Sequence, residues 1–245
     1  MSEQKLYLGD SYKLIKEMPD NSIDLIVTDP PYEITTGGKD NTRVGQNIRR
    51  VAEELKDNKI TVGINEEILE EFMRVMKVPN IYIWCNIIQV PQYIEFFTIK
   101  NQCKLDILVW QKTNAAPLYS NRYLTDKEYC LYFRLGGYCQ PTSYQAAKTV
   151  FQQPANKKDK DLYGHPTIKP LDIIKTLISN SARKGDVVFD PFMGSGTAAV
   201  ACKDLDLDFV GIEINEKWYK VAQDRTDDAA VGNENKNQTT IYDFF

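Results

Sequence analysis

The chain has 245 residues, 42% of them hydrophobic and 26% charged, an ordinary globular composition for one large α/β domain. Its formal net charge of −4 speaks against a bulk polycationic nucleic-acid binder and leaves local basic patches open. No apolar run is long enough to span a bilayer, and Met1-Ser2-Glu3-Gln4-Lys5 lacks a signal peptide's apolar stretch, so a cytoplasmic protein without membrane partners is expected.

Leu6-Tyr7-Leu8 is a short predicted strand ending at Gly9-Asp10, and residues 11–18 a helix with Asp10 or Ser11 as N-cap. Pro19-Asp20-Asn21 makes a turn. Ile23 to Val27 is a buried strand, and Thr28-Asp29-Pro30-Pro31-Tyr32 follows at its carboxyl end, where open α/β sheets bind ligands. Each proline fixes its own φ and biases the residue before it towards extended backbone. A stiff turn results, offering a carboxylate, a backbone carbonyl and an aromatic face to one small volume. Two acceptors and a stacking ring suit a planar, amine-bearing molecule such as a nucleobase; a turn with a surface aspartate is the other reading.

Residues 33–47 have no apolar period, contain Gly37, Gly38 and Gly45, and are read as a loop. Lys39, Arg43, Arg49 and Arg50 lie in or just beyond it, suited to phosphates or to simple solvation. Helices are predicted over 47–56 and 66–76, a strand over 81–85, an aromatic-rich helix over 91–99, and strands over 105–110 and 128–135. The irregular stretch 114–126 holds Tyr119, Arg122 and Tyr123; the weakly periodic 136–163 holds Lys148, Lys157, Lys158 and Lys160. From 170 onward the pattern is clear: helix 170–182, strand 186–189 ending at Asp190, helix 196–205, strand 209–212 ending at Glu213, helix 216–226. Strands alternating with helices imply a doubly wound, mostly parallel, Rossmann-like sheet. A single domain over 1–230 is expected, with small inserted recognition segments within 33–60 and 114–163 and a flexible tail over 231–245.

Between a predicted strand and helix, Asp190-Pro191-Phe192-Met193-Gly194-Ser195-Gly196-Thr197-Ala198-Ala199 places Gly194, Gly196 and Ala199 in G-x-G-x-x-[GA] spacing. Glu213 ends the next strand about 20 residues on, where an acidic side chain binds ribose hydroxyls. The glycines would let the backbone approach a ligand, and the block would otherwise be a tight helix-start turn. Asp190 would repel a pyrophosphate but receive an ammonium. S-adenosylmethionine, which carries adenosine, an ammonium and no phosphate, fits this better than NAD. Cys85, Cys103, Cys130, Cys139 and Cys202 form no C-x-x-C pair, so free thiols are expected, and His165 is the only histidine, so no metal site is expected.

Together these segments resemble the β-group of DNA amino-methyltransferases, in which D-P-P-Y precedes the recognition region and F-x-G-x-G comes last. The order here is Asp29-Pro30-Pro31-Tyr32, then His165-Pro166-Thr167-Ile168-Lys169-Pro170, then Phe192-Met193-Gly194-Ser195-Gly196, and the resemblance runs to about Thr226. It implies a class I S-adenosylmethionine-dependent methyltransferase fold acting on double-stranded DNA. Asp29, the Pro30 carbonyl, Pro31 and Tyr32 would hold the flipped target base. Asp10, Asp190, Phe192, Gly194, Gly196 and Glu213 would line the cofactor pocket, with Thr167 and Lys169 at its methionine end. Lys39, Arg43, Arg49, Arg50, Arg122, Lys148, Lys157 and Lys158 would face DNA. In that family D-P-P-Y accompanies adenine N6 and usually S-P-P-Y cytosine N4, so Asp29 favours adenine, with N4-cytosine as the alternative. The short recognition region leaves room for a homodimer.

The end, Gln238-Thr239-Thr240-Ile241-Tyr242-Asp243-Phe244-Phe245, resembles a sliding-clamp-binding peptide. Gln238, Ile241, Phe244 and Phe245 would plug into a preformed pocket, unless the aromatic tail folds on its own core. Among other classes, a nicotinamide-dependent oxidoreductase shares Gly194, Gly196 and Glu213 but leaves the Asp29 turn unexplained, and a non-catalytic DNA-binding module leaves both blocks idle.

Overall fold

In the computed structural model, which describes residues 2–32, 63–117, 121, 123–155, 159, 162–163 and 167–228, the short apolar runs become strands of one sheet. The strands are β1 (Gln4–Leu8), β2 (Leu25–Thr28), β3 (Asn80–Cys85), β4 (Lys104–Lys112), β5 (Lys127–Arg134), β6 (Val150–Gln153), β7 (Val187–Asp190) and β8 (Asp208–Glu213). Their order across the sheet is β1-β8-β7-β2-β3-β5-β4-β6. Only β5 runs antiparallel to its neighbours, β3 and β4; the other described pairings are parallel.

Helices cover both faces, as a buried parallel sheet requires. On one face lie α1 (Ser11–Leu14, continuing as a 3-10 turn through Ile15–Glu17), α2 (Glu66–Val75) and α3 (Val90–Tyr93, continuing as π-helical turns over Ile94–Lys100). Their Ile15, Ile68, Phe72, Tyr93 and Phe97 pack on Ile26, Ile83 and Phe189 of the sheet. On the other face are α4 (Leu171–Ser181), α5 (Thr197–Asp204) and α6 (Glu216–Asp228). Their Ile174, Ile178, Ala199 and Ala222 meet Val27, Val188 and Phe209. Asn65 caps α2, its side chain accepting from the Ile68 N–H at 3.3 Å, and the spacing of Ile68, Leu69, Phe72 and Val75 gives that helix one apolar stripe.

The predicted helix over 11–18 is half 3-10, and that over 91–99 is mostly π-helical. The widened turn lets consecutive Phe96 and Phe97 both enter the core, edge to face at 5.0 Å. The sequence reading missed β6, whose Val150-Phe151-Gln152-Gln153 has little apolar character. It is an edge strand held by its ladder to β4. The recognition segments expected within 114–163 flank β5, the strand predicted over 128–135, and β6 lies inside the second of them. The predicted helix over 47–56, the segment 33–60 and the tail lie outside the described residues. All five cysteines are free. Among the described residues no helix is long and apolar enough to cross a membrane, and no His/Cys/Asp/Glu cluster could hold a metal ion.

Candidate active site

Parallel strands β7, β2 and β3 lie side by side at the middle of the sheet, so their carboxyl ends open onto one place. There Asp190 ends β7, Asp29 follows β2, and Trp84 and Cys85 end β3. A cavity of about 360 Å³ lies over these ends, within the usual range for small-molecule sites. Of the residues expected to meet a cofactor, it is lined by Asp10, Thr167, Lys169, Asp190, Phe192, Gly194 and Glu213. Asp29 and Pro31 line it as well.

Gly196 does not line the cavity. It sits at φ 78°, in the left-handed region, and a Cβ there would come within 2.8 Å of the Ala222 side chain. Its glycine serves a turn and the close packing of α5 on α6, not an approach to ligand. Gly194, at φ 51°, donates its N–H to Glu213 Oε2 at 2.9 Å, while the Asn215 N–H reaches Oε1 at 2.8 Å. Glu213 is thereby fixed in orientation and keeps lone pairs towards the cavity. Burial pushes its carboxyl up against these hydrogen bonds. Asp10 caps α1, accepting from the Tyr12 N–H at 3.0 Å.

Asp190 is buried. The Thr28 hydroxyl and the Phe192 N–H both donate to its Oδ1, at 2.8 and 3.0 Å, and among the described residues no donor takes Oδ2. Burial, opposed by those two donors, pushes its carboxyl up to about 7. Behind the loop, buried Arg225 of α6 donates to the Ser195 carbonyl at 2.6 Å, the Ser195 hydroxyl at 3.1 Å and the Thr197 hydroxyl at 3.3 Å. That brace was absent from the sequence reading, since a charge in an amphipathic helix carries no motif.

The Asp29 side is built from distant residues. Lys169, buried at 5% exposure, donates to Asp29 Oδ2 and, at 3.1 Å, to the Tyr32 hydroxyl. It also pairs with Glu128 Oε2 at 3.2 Å, and Lys112 holds Glu128 Oε1 at 2.5 Å. Burial would lower the Lys169 ammonium, but Asp29 and Glu128 outweigh it and raise its pKa. Burial would raise Glu128, but Lys169 and Lys112 hold it below the usual carboxylate range. Asp29 is pushed up by burial, with Lys169 pulling against it and Glu128 adding to it. Lys169 lies 5.2 Å from the Tyr32 ring centre but 3.1 Å from its hydroxyl. It therefore sits beyond the hydroxyl edge and not over the ring face. The Gln89 amide donates to the Pro31 carbonyl at 3.1 Å, bracing the turn; no donor among the described residues reaches the Pro30 carbonyl.

Among the described residues, Asp29 Oδ1 and Trp84 Nε1 are buried polar atoms of this site without a hydrogen-bond partner. Both residues line the cavity. Buried polar groups are nearly always satisfied, so an acceptor and a donor left open beside a cavity fit a ligand that carries both. A planar amine would fill the Asp29 acceptor, and S-adenosylmethionine, with its ammonium and ribose hydroxyls, fits the acceptors Asp190 Oδ2 and Glu213 in the same cavity. Lys169, expected at the cofactor's methionine end, lines the cavity and also donates to Asp29 Oδ2. Glu128 and Lys112 were missed altogether. β5 runs antiparallel, so its first residues, not its last, reach the carboxyl end of β3, where Cys85 pairs with Tyr129. Of the cations expected to face DNA, Lys148 is described, 5.4 Å from the ring of exposed Tyr144. Lys39, Arg43, Arg49, Arg50, Arg122, Lys157 and Lys158 lie outside the described residues, as do His165, Pro166 and the tail residues Gln238, Ile241, Phe244 and Phe245.

Comparison with known proteins bears on the whole of this arrangement. Residues 23–224 match the family described as DNA methylase, covering N6 and N4 methyltransferases. The type II methyltransferase M2.LlaDCHI of Lactococcus lactis subsp. cremoris is 31% identical over 244 residues, spanning 91% of this chain and 89% of that one. The structure of the M1.HpyAVI–SAM complex matches with a TM-score of 0.65 at 25% identity, covering 91% of this chain and 98% of its own. The cytosine-N4-specific PvuII DNA methyltransferase shares the fold, with a TM-score of 0.70 at 15% identity over 95% of this chain and 89% of its own.

Proposed function

The chain belongs to the DNA methylase family and is an S-adenosylmethionine-dependent DNA methyltransferase, and from that premise we propose that its target is the exocyclic N6 amine of adenine. The observation that carries this reading is Asp29: a buried carboxylate with one oxygen held by Lys169 and the other without a partner among the described residues, followed directly by the Pro30 carbonyl, which no donor among the described residues reaches. When bound, S-adenosylmethionine supplies an electrophilic methyl group on a sulfonium.

The chain's own residues do the rest by position and charge. Asp190 receives the cofactor's ammonium on Oδ2, and Glu213 its ribose hydroxyls. Asp29 Oδ1 and the Pro30 carbonyl accept the two N–H groups of the target amine. Accepting both favours a pyramidal nitrogen, whose lone pair is freed from the ring and points at the methyl group. Tyr32 stacks on the base. Asp29 does not deprotonate the neutral amine; the amine turns acidic as its new N–C bond forms, and its proton leaves late, past Asp29. The base leaves the duplex stack to reach this turn, at a cost of roughly a few kcal/mol. Lys148 and the basic residues of 33–60 and 114–163 meet the phosphates.

In-vitro methylation of unmethylated genomic DNA, followed by sequencing of the modified bases, tests the base assignment. N6-methyladenine in one short sequence context is the expected product, and N4-methylcytosine would transfer the reading to cytosine. The carboxyl-terminal peptide Gln238–Phe245 tethers the enzyme to a sliding clamp in the same proposal. Its deletion should abolish clamp pull-down and leave activity on short duplexes intact; unaltered pull-down would refute the tether.

A further inference from the structure

The lysine of the His165–Pro170 block lies on the acceptor side of the site. Its ammonium is buried and held by two carboxylates: Asp29 on one side, and on the other Glu128, itself anchored by Lys112. Lys169 contacts the Asp29 turn and the residues packed beside it: Asp29 Oδ2, the Tyr32 hydroxyl, Glu128, and the rings of Tyr32 and Trp84 at 5.2 and 5.3 Å. The ammonium occupies one Asp29 oxygen only, and the second, Oδ1, is the orphaned atom.

We propose that Lys169 is a positioning residue of the amine-acceptor site: it pins Asp29 by Oδ2, keeps the carboxylate ionised in a buried place, and leaves Oδ1 for the incoming amine. Glu128 and Lys112 form the anchor that keeps Lys169 there. This rests on the reading of Asp29 as the amine's acceptor. The charges balance in pairs, Asp29 and Glu128 against Lys169 and Lys112, so an amine can dock on Oδ1 without displacing the lysine. A buried carboxylate without this cation would take up a proton, and a protonated Asp29 would be a poor acceptor.

Among the described residues, the ionisable groups facing Asp29 are Lys169, Glu128, Asp190, Tyr32, Cys85, Tyr93 and Cys130. Burial raises the Tyr32, Cys85, Tyr93 and Cys130 groups, the Cys85 thiol to about 12, so they stay neutral. Asp190 is removed from the readout by working at saturating S-adenosylmethionine. The acid limb of kcat then reports Asp29.

The sign follows from the neighbours. Lys169→Met removes a cation that lowers the Asp29 pKa, so the acid limb should move to higher pH, by about 1–3 units, with activity partly returning in alkaline buffer. Lys169→Arg keeps the charge and should keep the limb. Glu128→Gln removes an anion that raises Asp29, so its limb should move the opposite way, to lower pH. Calorimetric affinity of Lys169→Met for S-adenosylmethionine should stay within about twofold of wild type. Lost cofactor affinity with an unmoved limb would return Lys169 to the cofactor pocket and overturn the proposal. If Lys169→Met does not fold, Lys169→Gln, which keeps a hydrogen-bond donor without the charge, decides: an unmoved limb overturns it. Wild-type turnover in Asp29→Ala would instead sink the acceptor reading itself, a different failure.

Discussion

Strand β3 carries a buried polar cluster at each end, and the two are built differently. At its amino end, Asn80 donates to the carbonyls of Asp24, Tyr138 and Ser181 and accepts from the Tyr132 hydroxyl at 2.9 Å. The Ser181 hydroxyl joins Tyr82 at 2.8 Å and Tyr132 at 3.1 Å, and the two tyrosine rings stack at 4.0 Å. Every side chain of that cluster is satisfied from within. At the carboxyl end, Trp84 Nε1 and Asp29 Oδ1 have no partner among the described residues, and a lysine and two carboxylates are packed beside them. A satisfied network specifies and stabilises a fold. An unsatisfied one stores a cost that a ligand can relieve, which places function at one end of the strand and structure at the other.

Two substitutions separate these roles. The larger effect is expected at the carboxyl end. Asp29→Ala should lower kcat by about 10²–10³-fold, the usual loss when one preorganised electrostatic contact to the reacting group is removed. Its affinity for S-adenosylmethionine should stay within about twofold and its Tm should not fall, because Lys169 keeps Glu128. A lower Tm with turnover kept would erase the contrast. At the amino end, Asn80→Ala removes the amide that serves three carbonyls and is one of the partners of the Tyr132 hydroxyl. That should cost about 1–3 kcal/mol of stability, lowering Tm by roughly 5 °C, with kcat within about twofold of wild type. Calorimetric melting beside a methyl-transfer assay reads both; lost activity at unchanged Tm would show the two ends to be coupled.

The same contrast explains what the sequence made legible. The cofactor half is local: strand β7, the glycine loop, helix α5 and Glu213 follow one another within residues 187–213, so spacing and period report them directly. Strands β1, β2, β3, β7 and β8 follow from apolar runs for the same reason. The acceptor half is assembled across the chain. Lys169 meets Asp29 from 140 positions away, and Glu128 arrives through the reversed direction of β5, which no local pattern encodes. Motif order could name Lys169 but not its partner. Gly196 shows the converse: its place in the motif was legible, yet its physical reason is Ala222 on a helix two elements later. Arg225, braced against Ser195 and Thr197, and edge strand β6 are likewise consequences of tertiary contact.

The smallest expected effect tests the cofactor half by pH. Asp190 has its Oδ1 filled by Thr28 and Phe192, and burial sets its carboxyl at about 7. An ammonium docking on Oδ2 would favour the ionised form, so the carboxyl's pKa in the complex lies below its value in the free protein. Binding then releases a proton whenever Asp190 is protonated beforehand. The sign is therefore fixed: affinity for S-adenosylmethionine rises as pH climbs towards about 7 and levels off above it. One unit below that value it should be weaker by about tenfold, or 1.4 kcal/mol. Calorimetry from pH 6 to 8.5 measures this. Asp190→Asn should bind more weakly and lose the slope. A wild-type affinity flat across that range would mean that the ammonium docks elsewhere, and the orphaned atoms of the Asp29 end would then have to account for the cofactor's polar groups as well as the base's.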